Sequence, residues 1–422
     1  MGPRQLVIAA LRKCCSSPSS LGAGWAVEGI QESNPRSEYR SETMNQRRVA
    51  IVTSIHPDFD SRVWKHAKGL ARAGYDVNFV CPWKIKSGSQ YDGVNFHTFE
   101  RVTSRGLRPF QIPGRVLDKL LPLLKQVQLV HFHDIDILPW MTLLSFFKPV
   151  VYDVHENYPE EMMVREWIPK PFRHVLRFGV YWVQLICSMK IRNVVLVAPS
   201  YDSGFTSDYL RRIYFRNLAT LELTKHVAPD YLTRPPAVIF TGSQYPNNGS
   251  LLYLDIAEIC KRSDPELPFY VTDRFASSAF RARVLGMIEQ RQLTNIRLLP
   301  NVKPHELMRM LNRATVAVSP SLRVPQQIKG FHTKLYEYMA AGLPVVASDL
   351  PHESELITKS NCGILALPEE PASFAEAILK LAHDRRHAFE LGKNGQAAFT
   401  NYYSWESELP KLLDFYDFIL AG

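Results

Sequence analysis

Short apolar runs alternate along this chain with amphipathic helical stretches, and the series runs twice. Such a pattern folds as parallel sheets covered by helices, because each strand must return through a crossover to lie beside its predecessor. The first series predicts strands over 49–53, 77–80, 128–132, 150–154 and 194–198. It also predicts a helix over 61–72, in which Val63, Trp64, Ala67 and Leu70 recur near the 3.6-residue period. After Arg234-Pro235-Pro236 the pattern restarts with a strand over 238–240, a turn at Gly242 and a helix through 251–260. A chain of 422 residues exceeds what one core accommodates. The expected fold class is α/β, with two doubly wound, Rossmann-like domains over 44–220 and 237–402, a linker over 221–236, and a last helix over 403–422.

Residues 1–43 break from this pattern. They are rich in Ser, Gly, Pro and Arg and lack periodicity, so they are expected to form a disordered extension ahead of a start at Met44. The six cysteines show no C-x-x-C spacing, which argues against a zinc site or a disulfide framework and fits a reducing, cytoplasmic setting. Charge is uneven. Residues 44–220 hold 24 Lys and Arg against 15 Asp and Glu, while the remainder is close to neutral. An anionic partner for the first half follows. No helix-turn-helix, RNP or zinc-finger pattern points to nucleic acid, which leaves an anionic membrane surface or lipid-linked molecule as the expectation. The apolar stretch 175–189 is interrupted by Arg177 and is too short to span a bilayer. Arg165, Lys170, Arg173, Lys190 and Arg192 surround it, so it reads either as a buried helix or as one lying in a membrane interface.

The stretch from Gly330 to Ser348 carries the sharpest signal: a glycine, a helix containing Lys334-Leu335-Tyr336-Glu337, a Gly342-Leu343-Pro344 stop and an apolar strand. A helix opening beside a glycine presents unpaired N–H groups and the positive end of its dipole, which suit a phosphate. Lys334 and Glu337, three apart, share a face, so a cation for a diphosphate and a carboxylate for a ribose diol stand together. The same pattern is also that of an ordinary loop–helix–strand unit.

This stretch resembles the donor-site signature of family 4 retaining glycosyltransferases, whose fold is called GT-B. The final Tyr403-Ser404-Trp405-Glu406 and the helix after it resemble the family too, in which that helix crosses back onto the first domain. The resemblance covers essentially 44–422. It implies metal-independent transfer of a sugar from a nucleoside diphosphate sugar to a hydroxyl of a glycan or lipid-linked acceptor, with no further cofactor. The expected setting is cytoplasmic, with peripheral attachment to the inner face of the cell membrane. Glu337 matches the family's ribose-binding glutamate, whereas the paired glutamate eight positions earlier is replaced by Lys329. The family's Arg and Lys after the first strand of the second domain are also missing from Thr241 to Gly249, although Gly242 remains. Arg274, Arg323 and Lys329 are the candidate replacements at the diphosphate, with Gly330, Phe331 and Lys334 completing the donor set. An epimerase of the same fold, or a degenerate nucleotide-sugar binder, are the alternatives.

In doubly wound folds ligands sit at the carboxyl ends of strands. Three polar clusters fall there in the first half, and the acceptor set drawn from them is His56, Asp60, Arg62, His133, Asp134 and Glu156. The Asp153-Val154-His155-Glu156 segment resembles the family's Asp-x-His-Glu, which implies a catalytic role for His155 against the transferred sugar or acceptor. Asp58-Phe59-Asp60 and Asp134-Ile135-Asp136 read D-x-D. Carboxylates alternating on a strand point to opposite faces, so this spacing makes a poor chelate and no metal is expected.

Overall fold

Both strand series become sheets. The structure, a computed structural model, describes residues 47–56, 58–59, 62–104, 107–164, 168–197, 205, 209–302, 306–328 and 330–421. The expected extension over 1–43 lies outside them, as do Asp60, Arg165 and Lys329. The first sheet comprises β1 (Arg48–Val52), β2 (Asp76–Cys81), β3 (Gln90–Tyr91), β4 (Val94–Thr98), β5 (Leu129–Phe132), β6 (Val150–Val154), β7 (Asn193–Leu196) and β8 (Arg211–Tyr214). The second comprises β9 (Val238–Phe240), β10 (Phe269–Thr272), β11 (Ile296–Leu299), β12 (Val316–Ser319), β13 (Val345–Ser348) and β14 (Gly363–Ala366).

Spatial order in the first sheet is β3-β4-β2-β1-β5-β6-β7-β8, and in the second β11-β10-β9-β12-β13-β14. All pairings are parallel except the β3–β4 hairpin. Each sheet therefore reverses its winding once, between β1 and β5 and between β9 and β12. Those two switch points are where an open α/β sheet leaves a crevice.

Strand alternation builds two cores on the first sheet. Ala50, Val52, Val130, Phe132 and Tyr152 face one, while Val49, Ile51, Leu129 and Val151 face the other. The helix Val63–Arg72 closes the second core with Val63, Ala67 and Leu70, and begins two residues later than its sequence pattern indicates. The carboxy-terminal helix, Trp405–Ala421, lies in that same core through Leu412, Phe415, Tyr416 and Ile419. Its arrival is fixed electrostatically: Arg216 donates to the buried Glu408 carboxylate at 3.1 and 2.6 Å. It is also fixed sterically, because a Cβ on Gly69 would fall 1.8 Å from the Trp405 ring.

The helix Lys170–Ile191 overturns one of the two sequence readings. It is not buried: Phe172 is 60%, Val175 66%, Phe178 66% and Ile186 62% exposed, and its buried side is confined to Gln184, Cys187, Ser188 and Ile191. Among the described residues no helix is long and apolar enough to cross a membrane.

Gly69→Ala is expected to force Trp405 out of its seat and to cost about 2 kcal/mol, the usual scale for overpacking a filled core. Chemical denaturation of the variant beside the wild type measures it.

Candidate active site

A cavity of about 590 Å³ opens at the switch point of the second sheet. Thr241 and Gly242 enter it from the end of β9, Arg274 from beyond β10, and Gly330, Lys334 and Glu337 from the loop and helix after β12. The helix itself runs Thr333–Ala340, so its first turn starts two residues beyond the expected Gly330-Phe331. No side chain caps it, and its amino end stands at the cavity wall with His332 and Thr333. Backbone N–H groups at such an end suit an anion.

Local chemistry holds this helix in place. The Tyr338 hydroxyl accepts from Thr241 N at 2.9 Å, tying the helix to the end of β9. His332 Nδ1 meets Glu353 Oε1 at 2.5 Å, and Glu353 is fully buried at the start of the helix Pro351–Ser360. Phe331 stacks on Tyr336, with centroids 5.2 Å apart and planes 20° from parallel. Gly330 is needed because a Cβ would come within 2.8 Å of the Gln326 carbonyl. Across the loop, Gln327 Nε2 donates to Asn248 Oδ1 at 2.9 Å.

Burial strains both charged groups. The Glu337 carboxyl is half-buried and is pushed up by burial from 4.5 to about 7, against the pull of Lys65 and Lys334. The Lys334 ammonium, 4.5 Å from the centroid of the Phe240 ring, is pushed down by burial to about 8, against Glu353 and Glu337. Neither group makes an ion pair within 4 Å among the described residues. Lys65 comes from the first domain, where Asn217 Oδ1 and the Leu218 carbonyl hold its ammonium.

Of the sequence-derived donor set, Gly242, Arg274, Gly330, Phe331, Lys334 and Glu337 line one cavity. Arg323 does not. Its side chain is exposed off the cavity, and its backbone N–H is taken by Glu369 at 3.2 Å. Sequence proximity to the loop misleads there, because the short helix Pro325–Ile328 carries the chain away before Gly330.

The first-domain clusters do converge at the β1/β5 switch point, with a correction. His133, Asp134 and the expected catalytic His155 are all buried, the last only 4% exposed, so none offers an open surface to an acceptor or a sugar. Asp134 Oδ2 instead accepts from Thr53 Oγ1 at 2.8 Å and Ser54 N at 2.6 Å, closing the β1 loop. His56 lies half-buried, its Nε2 3.6 Å from Asp134 Oδ1. Arg62 donates to the His155 carbonyl at 3.3 Å, and Glu156 is exposed. His155 Nε2 lies 2.8 Å from His133 Nδ1 and 3.3 Å from Asp153 Oδ1, while its Nδ1 has no hydrogen-bond partner. Burial lowers the pKa of the His155 and His133 imidazoles despite the nearby Asp153. Burial alone would raise Asp153, yet the surrounding histidines hold its carboxyl well below the usual range.

Sequence reading gives no role to Lys65, His66, His131, Asp153, Tyr338 or Glu353. His66 does leave a signal: it occupies the buried stripe of its helix beside Val63, Ala67 and Leu70, where an imidazole needs a reason to be.

Comparison with known proteins bears on the fold and on the second half of the chain. Residues 229–398 match the family described as glycosyl transferases group 1. A putative colanic acid biosynthesis glycosyltransferase, WcaL, of Salmonella typhimurium is 34% identical over 122 residues, covering 25% of this chain and 30% of that protein. The MMP alpha-(1->4)-mannosyltransferase of Mycolicibacterium hassiacum is 29% identical over 117 residues, covering 28% of this chain and 27% of it. The matched stretches thus span under a third of either relative. Among solved structures, sucrose-phosphate synthase from Thermosynechococcus elongatus superposes with a TM-score of 0.65 at 16% identity, covering 89% of this chain and all of that one (100%). Anabaena HepE in complex with UDP and glucose does so at 0.63 and 14%, covering 88% and 99%. The fold is GT-B, and within its second half residues 229–398 are similar to the glycosyl transferases group 1 family.

Glu337→Gln is expected to stabilise the protein above neutrality. A carboxyl raised from 4.5 to about 7 binds more protons folded than unfolded, so its contribution is lost as pH rises through that window. The gain should be absent at pH 4 and reach about 1 kcal/mol at pH 8, after discounting for solvent around a half-buried group. Denaturant titrations at the two pH values check it.

Proposed function

We propose that this chain is a hexosyltransferase that moves a sugar from a nucleoside diphosphate sugar to a hydroxyl of a glycan or lipid-linked acceptor. One observation carries the reading: Lys334 and Glu337 share a cavity with an uncapped helix amino end, each kept partly out of water. Glu337, once ionised, accepts the two ribose hydroxyls. Lys334, Arg274 and the first N–H groups of the helix take the diphosphate, whose charge would be costly to bury unanswered. That HepE is solved with UDP and glucose, and other relatives are glycosyltransferases by name, supports the same assignment.

Transfer then proceeds without a metal at the diphosphate and with retention. The bond from the sugar's anomeric carbon to the phosphate oxygen breaks, and its electron pair leaves with the nucleoside diphosphate. The acceptor oxygen bonds to that carbon on the same face, and its proton passes to the departing phosphate. Lys334 and the helix dipole stabilise the developing charge, and the two domains orient the partners. The acceptor enters from the first domain past His56, Arg62 and Glu156, and the buried His155 backs His56 from behind, their ring centroids 5.2 Å apart. The setting is cytoplasmic, with the exposed Phe172, Val175, Phe178 and Ile186 resting on an anionic membrane face beside Lys170 and Arg177.

A panel of UDP- and GDP-sugars incubated with the protein and a membrane lipid extract tests this. Nucleoside diphosphate release with sugar transfer is the expected outcome. Isomerised donor without transfer points to an epimerase, and binding without turnover to a degenerate member lacking the missing cations. Lys334→Ala is expected to weaken donor binding by roughly tenfold to a hundredfold, the worth of a charge-assisted contact. Donor affinity should peak between about pH 7 and 8, because Glu337 is protonated below that window and Lys334 neutral above it. Calorimetric titration across pH reads both limbs, and Glu337→Gln should abolish the acid one.

A further inference from the structure

Behind the first-domain crevice, four side chains converge on one point. His131 and His133 lie two apart at the end of β5, on the same face of the sheet as Asp153 from β6. His66 reaches them from the helix Val63–Arg72. Asp153 Oδ2 stands 3.5 Å from His66 Nδ1, 3.3 Å from His131 Nε2 and 3.3 Å from His133 Nδ1. One ligating atom from each of the four lies within 4.8 Å of the others, and all four residues are buried.

These separations are poor for hydrogen bonds. His66 Nδ1 and His131 Nε2 have no hydrogen-bond partner, although both residues are at least nine-tenths buried. Orphaned imidazole nitrogens inside a core are costly and call for an occupant. The three separations from Asp153 Oδ2 do suit edges of a metal tetrahedron, and the histidine nitrogens, within 4.8 Å of one another, are near enough to draw in around an ion. Bonds of about 2.0–2.1 Å to nitrogen and oxygen set neighbouring ligands about 3.3–3.4 Å apart.

We propose that His66, His131, His133 and Asp153 form a buried tetrahedral site for a divalent transition metal, with zinc the ion that an all-imidazole and carboxylate set suits best. The surrounding contacts are those such a site requires. The far nitrogen of His131, Nδ1, is 2.5 Å from the Tyr416 hydroxyl, which fixes the ring's tautomer and orientation. Tyr416 belongs to the carboxy-terminal helix, so the ion would fasten that helix to the first sheet. His155 Nε2 lies 2.8 Å from His133 Nδ1 and 3.3 Å from Asp153 Oδ1, so a bound ion would take the His133 nitrogen from it and leave it Asp153 Oδ1, which links the site to the position of His155 without making the metal part of sugar transfer. The ion would sit on the first sheet, separate from the diphosphate cavity built by the second. The D-x-D triplets play no part in it.

The test uses the full chain, stripped with a chelator and titrated with Zn²⁺ or Co²⁺ alone. One equivalent of Zn²⁺ per chain, a raised melting temperature, and tetrahedral Co²⁺ bands in the visible without sulfur charge-transfer bands are expected. His66→Gln and Asp153→Asn should abolish stoichiometric binding. Tyr416→Phe should weaken it by about tenfold, and the exposed His174→Gln should leave it unchanged. A wild-type protein that binds no stoichiometric ion and gains no thermal stability would overturn the proposal whatever the variants do. Sulfur bands would overturn it as well, since they place the ion on cysteine, and so would full binding in the His66 and Asp153 variants.

Discussion

Lys334 and Glu337 are opposite charges one helical turn apart, each drawn partly out of water with no close ion-pair partner among the described residues. Much of the second domain exists to hold them so. The β9–β12 reversal opens the crevice, Tyr338 ties their helix to the end of β9, and the His332–Glu353 contact sets where that helix begins. A protein selected for stability alone would neutralise or solvate such groups. On the proposed reading, an anionic, diol-bearing ligand would answer both groups at once.

The first domain is organised around a different need, that of sealing polar strand ends inside a packed core. Asp134 satisfies the β1 loop, while Asp153 gathers three imidazoles and touches a fourth. The carboxy-terminal helix closes over this cluster with Tyr416 and Trp405. Because that helix follows the second domain in sequence and packs on the first, it joins the two halves more firmly than a single linker would. Residues lining the crevice are thereby braced from behind by a buried polar centre.

Much of this is legible in the order of residues. Near-continuous apolar runs such as Val49–Val52 and Leu129–Phe132 give strand identity, because strands of a parallel sheet covered on both faces are buried on both sides. The 330–348 stretch announces the cavity, since glycine, helix and paired charges are local features. What escapes is non-local. The helix start slips to Thr333 because a buried Glu353, twenty-one residues beyond its partner, claims His332. Arg323 is misplaced because the turn at Pro325–Ile328 cannot be read from distance along the chain. The hairpin Gln90–Tyr91 to Val94–Thr98 goes unread although Asp92-Gly93, both at positive φ, is a strong turn signal. His131 and Asp153 are in view but unassigned, since their meeting depends on β5 and β6 being neighbours.

Hydrogen–deuterium exchange with and without a saturating nucleoside diphosphate tests the nucleotide grip most directly. The expected result is slowed exchange confined to the 241–249 and 330–341 segments, and its loss in the Lys334→Ala protein. Unchanged exchange in both segments, or protection appearing only on the first domain, would contradict the assignment of that helix end as the seat of the nucleotide.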